Sequence, residues 1–243
     1  MKQKKRYRRG YPVAILAGIE EDSAVIWKVY SNVAKPEVTI NFNGIRKNPK
    51  DAYNFYESIV NALRPTLREG VRSIILVSTP RNNYHQELIN HIRQHHRWLT
   101  DGPNKAAFSK ITGFAGSSHQ IIELTRNPIF QKSIKETTNE ETENLIEILE
   151  KCINTTDNTN LVLFSLQEVE KLILKRQKPC GPTPVYLMLT NSYLADNPQK
   201  NRLHRLLQIA SNKKVKTRII NAESAAGKRL TQLGGLLCLA QLE

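Results

Sequence analysis

The chain has 243 residues and a formal charge of +14 at pH 7, from 36 Lys and Arg against 22 Asp and Glu. With 40% hydrophobic and 24% charged residues it can bury a core, which excludes wholesale disorder, and its length suits one large domain or two modest ones. Cys152, Cys180 and Cys238 lie far apart without metal-type spacing, which excludes a disulfide scaffold or a zinc ribbon and fits a reducing cytoplasm.

No apolar run approaches the roughly 20 residues of a membrane span. Residues 13–19 are apolar and follow a basic stretch, but the run ends in Glu20, Glu21 and Asp22, so it reads as a core strand rather than a secretory signal. The charge is uneven. Lys2, Lys4, Lys5, Arg6, Arg8 and Arg9 form a tail without an acid, and residues 200–229 carry further bases against Glu223 alone. Two such clusters point to a polyanion binder whose affinity falls with salt; a tail that merely aids solubility is the other reading.

In chain order, residues 11–19, 23–31 and 36–42 read as three successive strands. A loop at residues 43–51 follows, with Gly44, Pro49 and the bases Arg46, Lys47 and Lys50. Asn48-Pro49 starts a helix, with Ala52, Phe55, Tyr56, Ile59 and Leu63 at helical spacing. Residues 71–78 are a nearly continuous apolar run, the mark of a strand buried on both faces. A helix is expected over 84–98, a strand over 109–115, a small-residue turn at 116–119, and a short helix to Arg126.

Asn127-Pro128 is the expected domain boundary. Beyond it, Thr138 and Glu141 read as a capping box that starts an acidic helix, with Leu145, Ile148, Leu149, Cys152 and Ile153 inward and most acids outward. Strands at 161–164, 185–190 and 215–220 then alternate with helices, and an apolar segment at 234–239 closes the chain. The alternation predicts a mostly parallel or mixed sheet with helices on both faces.

Most candidate chemistry fails. No Walker loop, dinucleotide fingerprint or nucleophile elbow is present. The run Gly113-Phe114-Ala115-Gly116-Ser117-Ser118 lacks the Lys of a phosphate loop and reads as a structural turn. His91 and His95 are spaced i, i+4, but Arg93 and Arg97 interleave and no Cys accompanies them, so His91, His95 and His96 read as a polar or RNA-facing helix surface rather than a metal site. The first half could form a ribonuclease-H-like sheet, yet its strands lack the converging carboxylates that metal-dependent nuclease chemistry needs. No catalytic residue, metal or cofactor is expected.

Taken in order, five stretches resemble the Pelota branch of the class I release factor superfamily: VAILAGIEEDSAVIWKVYS, DAYNFYESIVNAL, VRSIILVSTPRNNY, ITGFAGSSHQ and KTRIINAESAAGKRLTQLGGLLCLAQL. The resemblance runs from about Tyr11 to the C-terminus. It implies an α/β fold of two domains: a ribonuclease-H-like central domain at residues 11–127, behind the basic tail at 1–10, and at 128–243 an α/β/α sandwich similar to small ribosomal RNA-binding proteins. No Gly-Gly-Gln tripeptide occurs, so peptide release is expected to be absent; Gly234-Gly235 is followed by Leu236. The family's N-terminal domain has no counterpart, and only the tail precedes the central domain.

The resemblance implies a non-catalytic, cytoplasmic, ribosome-binding factor of rescue, recycling or hibernation that occupies the factor-binding site. Expected RNA contacts are the tail, Arg46, Lys47 and Lys50, with Lys213, Lys214 and Lys216. The implied partners are the ribosome and its RNA, and a translational GTPase or the ABC-type ribosome recycling ATPase. The acidic helix would face solvent or a basic protein. A divergent peptidyl-tRNA hydrolase or nuclease, and a GTPase-binding scaffold without RNA contact, are the alternatives.

Overall fold

The computed structural model describes residues 11–30, 33–102, 104–154, 159–174 and 181–242. The tail bases Lys2 to Arg9 therefore lie outside the described residues. Among the described residues, no helix is long and apolar enough to cross a membrane.

The fold is built on two sheets. The first has the order β3-β2-β1-β4-β5, from β1 (Ala14–Ile19), β2 (Ser23–Val29), β3 (Ala34–Asn41), β4 (Ser73–Ser78) and β5 (Ala107–Thr112). β1 to β3 form an antiparallel meander, and β4 and β5 add in parallel on the other side of β1, the ribonuclease-H-like order anticipated from sequence. The central strands β1 and β4 are buried along their whole length. Their alternate residues feed two apolar layers. Ile15, Ala17, Ile74 and Leu76 pack under α1 (Pro49–Arg68) and α2 (Tyr84–His95). Leu16, Ile75 and Val77 pack with Trp27 under α3 (Ser118–Arg126) and the start of α4 (Pro128–Asn154).

The second sheet has the order β6-β9-β7-β8, from β6 (Asn160–Leu163), β7 (Thr183–Thr190), β8 (Lys216–Ile220) and β9 (Leu236–Gln241). β7 and β8 are parallel; β9 runs antiparallel between β7 and β6. The end of α4 and α8 (Ala225–Gln232) cover one face. α5 (Leu166–Leu174) and α7 (Lys200–Asn212) cover the other, with α6 (Asn191–Asp196) after β7. This is the expected α/β/α sandwich. Gly235 at φ +78 opens β9, and a Cβ there would sit 3.0 Å from the Tyr193 ring, so the close backbone approach read from Gly234-Gly235 holds at the second glycine.

Several features depart from the sequence reading. His91 and His96, expected on a polar or RNA-facing helix surface, are buried at 7% exposure each, and Ile153, expected inward, is 44% exposed. The largest departure is in α4. Thr138 and Glu141 do not cap a helix, because α4 is continuous from Pro128 to Asn154. The Thr138 hydroxyl instead donates to the Ile134 carbonyl one turn back, at 2.6 Å. Glu141 is only 1% exposed and pairs with the Arg218 guanidinium. Its other carboxylate oxygen accepts from the Arg72 backbone N–H at 2.8 Å. Burial pushes the Glu141 carboxyl pKa up, opposed by Arg218 and Arg72. Glu136, Glu140, Glu143 and Glu147 face outward on this helix and Glu150 is half-buried; Glu141 is the exception, turned into the seam between the sheets.

That seam is polar and closely fitted. Arg218 also donates to the carbonyls of Pro12, at 3.1 Å, and Val13, at 3.3 Å. The Tyr186 hydroxyl donates to Asn104 Oδ1 at 2.5 Å. At Gly70, φ +103, a Cβ would stand 3.0 Å from that of Lys216. α4 serves both sides: Phe130 is fully buried on the first sheet, while Leu145 and Leu149 enter the core of the second.

Candidate nucleic-acid interface

The loop at residues 43–51 is pinned rather than loose. Gly44 (φ +151) approaches Asp51 so closely that a Cβ would lie 2.7 Å from its carboxylate. Asp51 Oδ2 accepts from the Ile45 N–H at 3.1 Å, and Asn48 Oδ1 accepts from the Lys50 N–H at 3.1 Å to cap α1. Pro49 sits at the start of the helix, where its missing N–H costs nothing.

The three bases of this loop do different things. Arg46 folds inward and is only partly exposed. Its guanidinium lies 4.5 Å from the Phe42 ring, 4.5 Å from Phe55 and 4.3 Å from Tyr84. It donates to the carbonyls of Glu21, at 2.9 Å, and Glu20, at 2.7 Å. An arginine held by three rings and two carbonyls positions the loop. Lys47 and Lys50 are exposed and carry the loop's available charge.

The second predicted cluster divides likewise. Lys213 and Lys214 are exposed; the Lys213 ammonium reaches the Ile173 carbonyl at 2.6 Å, and Lys214 takes a left-handed turn at φ +62. Lys216 is drawn into the seam, 4.6 Å over the Tyr186 ring and 3.2 Å from its hydroxyl. The structure does not bring the two clusters together. Residues 43–51 precede α1, Lys216 packs at Gly70 just beyond its C-terminus, and a 20-residue helix is about 30 Å long.

Two basic surfaces go beyond the sequence reading, which placed Arg93 and Arg97 on a polar or RNA-facing helix surface but not in a groove. Arg93, Arg97, Lys105 and Lys110 line a groove of about 630 Å³ beside β5, together with Asp101 and Glu140. Arg64, Arg68 and Arg72 line a smaller cleft with Trp98, which is 40% exposed and lies 5.3 Å from the Arg64 guanidinium. Arginine beside an exposed indole suits stacking on an unpaired base. The signal was present as scattered bases at 64, 68, 93 and 97, but only tertiary packing gathers them: Arg93 and Arg97 with Lys105 and Lys110 beside β5, and Arg64 and Arg68 with Trp98.

Hydrolytic chemistry finds little support. β1, β2, β4 and β5 contain no carboxylate, and Glu37 in β3 pairs with Lys28 at 3.5 Å. Ser78 touches His85 Nδ1, but Ser78 is 1% exposed and its hydroxyl donates to the Asn82 carbonyl at 3.1 Å. Burial and Lys110 push the His85 pKa down, and no described carboxylate orients the ring as a catalytic triad requires. The Gly113–Ser118 run is a structural turn, as read. The Gly116 N–H donates to Glu20 Oε1 at 3.1 Å, Ala115 accepts from the Trp27 indole at 2.9 Å, and Ser117 caps α3.

No family model matches the chain, and no curated protein does. Among solved structures, ribosome-bound archaeal Pelota, in a model with ABCE1, covers 99% of the chain at 14% identity with a TM-score of 0.53. The chain has the Pelota fold. S. cerevisiae Dom34 covers 95% at 19% identity with a TM-score of 0.49, and Archaeoglobus fulgidus Pelota covers 95% at 17% identity with a TM-score of 0.41. The chain spans 63–64% of the length of these structures.

Proposed function

We propose that the chain is a non-catalytic, ribosome-binding translation factor that acts in rescue, recycling or hibernation by occupying the factor-binding site. The observation that carries this reading is the fold it shares with ribosome-bound archaeal Pelota, joined to a formal charge of +14. The sheets correspond in this reading to a central domain at 11–127 and a C-terminal domain at 128–243, with α4 reaching back across the boundary. Lys47 and Lys50, held out by the Arg46 anchor, are proposed to meet ribosomal RNA, and the basic tail from Lys2 to Arg9 to enter a phosphate-lined channel. Lys213 and Lys214 form a second contact about 30 Å away by the length of α1, with Lys216 supporting them from the seam. The ABCE1 that accompanies archaeal Pelota makes an ABC-type recycling ATPase, or a translational GTPase, the proposed protein partner.

Sedimentation with purified ribosomes over a salt series tests this. Co-sedimentation should be strong in dilute buffer and fall steeply with salt, because each neutralised phosphate releases counterions. Deleting residues 2–9, or replacing Lys47 and Lys50 together, should weaken it. A folded chain that ignores ribosomes even in dilute buffer would defeat the proposal.

A further inference from the structure

The seam between α1 and α2 holds a side-chain cluster that a ribosome-binding role does not use. Glu57 Oε2 lies 2.7 Å from His96 Nε2 and 3.5 Å from His91 Nε2. One ligand atom from each of the three residues lies within 4.8 Å of the others. The histidine side chains are 6% and 8% exposed, and Glu57 is 29% exposed. The site thus has a buried floor and an open lip.

Two features exceed what a structural ion pair needs. First, buried His91 Nε2 meets only Glu57 Oε2, at 3.5 Å, and among the described residues makes no well-formed hydrogen bond. A buried polar atom so weakly satisfied is costly and asks for an explanation. Second, Glu57 has support behind it: Asn61 donates to Glu57 Oε1 at 3.4 Å, and Arg64 donates to Asn61 at 2.9 Å. Outer partners of this kind orient a ligating carboxylate.

We propose that Glu57, His91 and His96 bind one divalent transition-metal ion, with Zn²⁺ the best fit, and that the ion clamps α1 to α2. Two imidazoles and one carboxylate are a donor set such ions accept. Ligand bonds of about 2.0–2.2 Å in a tetrahedron hold donor atoms roughly 3.3 Å apart. The Glu57–His91 spacing is already close to that, the Glu57–His96 contact must open slightly, and His91 and His96, whose ligand nitrogens lie within 4.8 Å of each other, can come to that spacing by small side-chain rotations. The fourth position falls on the open side, where water completes the shell. The carboxylate cancels half of the ion's charge, and Arg93 and Arg97 line a separate groove.

The full chain, stripped with a chelator and titrated with ZnCl₂ by calorimetry, should bind one ion at this site. Co²⁺ in its place should give the visible absorption of a low-symmetry nitrogen and oxygen shell. His91→Gln and Glu57→Gln should each weaken binding by on the order of 100-fold or more, and Asn61→Ala by roughly 10–100-fold, the usual effect of losing an outer-shell partner. Glu57→Gln keeps a hydrogen-bond acceptor for His96, so that variant should fold, as circular dichroism would verify. No one-to-one binding by the folded chain would overturn the proposal. So would undiminished Zn²⁺ affinity, or an unchanged Co²⁺ spectrum, in His91→Gln, since either would put the ion elsewhere.

Discussion

Arg218 and Arg46 are both drawn in from the surface, and they are held in opposite ways. Arg218, in the seam between the sheets, is 4% exposed and faces a carboxylate as buried as itself. Arg46, in the loop before α1, faces three aromatic rings and two backbone carbonyls, and among its described contacts no carboxylate. A guanidinium tolerates both settings because it is flat, weakly hydrated and able to fork its hydrogen bonds. The settings differ in what happens when a partner is removed. A buried ion pair that loses one member leaves a bare charge, whereas losing the stacked Arg46 leaves a gap and two carbonyls without their donor, but no bare charge. The comparison also shows that a base in a basic loop is not automatically a phosphate ligand.

The largest expected effect tests the seam. Glu141→Ala should cost about 3–5 kcal/mol of unfolding free energy in a urea titration, because Arg218 is left buried and uncompensated. Replacing both residues, as Glu141→Leu with Arg218→Met, should restore much of the loss. A single replacement that costs under about 1 kcal/mol would mean the seam is wetter than its geometry shows, and the contrast with Arg46 would dissolve.

Arg46→Ala should cost less, about 1–2 kcal/mol, and Arg46→Lys should recover little of it, because an ammonium cannot stack and fork together. Full stability in Arg46→Lys would show that charge alone, not planarity, fixes the loop. Replacing Lys47 and Lys50 together should change stability by no more than about 0.5 kcal/mol. The same pair should lower the salt slope of ribosome binding by roughly one to two units. An unchanged slope would move the RNA contact to the Arg93 and Arg97 groove or to the Trp98 cleft.

Much of the fold was legible because its signals are local. The apolar runs of β1 and β4 and the Asn48-Pro49 start of α1 sit where period and turn chemistry place them. The capping box failed for the opposite reason. Thr138 and Glu141 have the right spacing, but Glu141 answers to Arg218, 77 residues away, and no local pattern reports that. The histidines show the same limit. Helical spacing pairs His91 with His95, yet α2 ends at His95 and the next residue leaves helical geometry at φ −131, ψ 49. His96 turns back onto Glu57 while His95 stays exposed. Arg46 was legible as a base in the loop before α1; its aromatic cage depends on Tyr84, contributed by a different helix.

The span of α4 has a consequence for anyone who bisects the gene. Its opening turns supply Phe130 and Ile134 to the layer over Trp27, Ile75 and Val77, and its closing turns supply Leu145 and Leu149 to the other sheet. A stop codon after Asn127 would leave the first half with an uncovered greasy face, prone to aggregate. A fragment begun at Pro128 would trail the same turns with nothing to cover. Soluble halves should come only from pieces that overlap through this helix, each carrying its own copy.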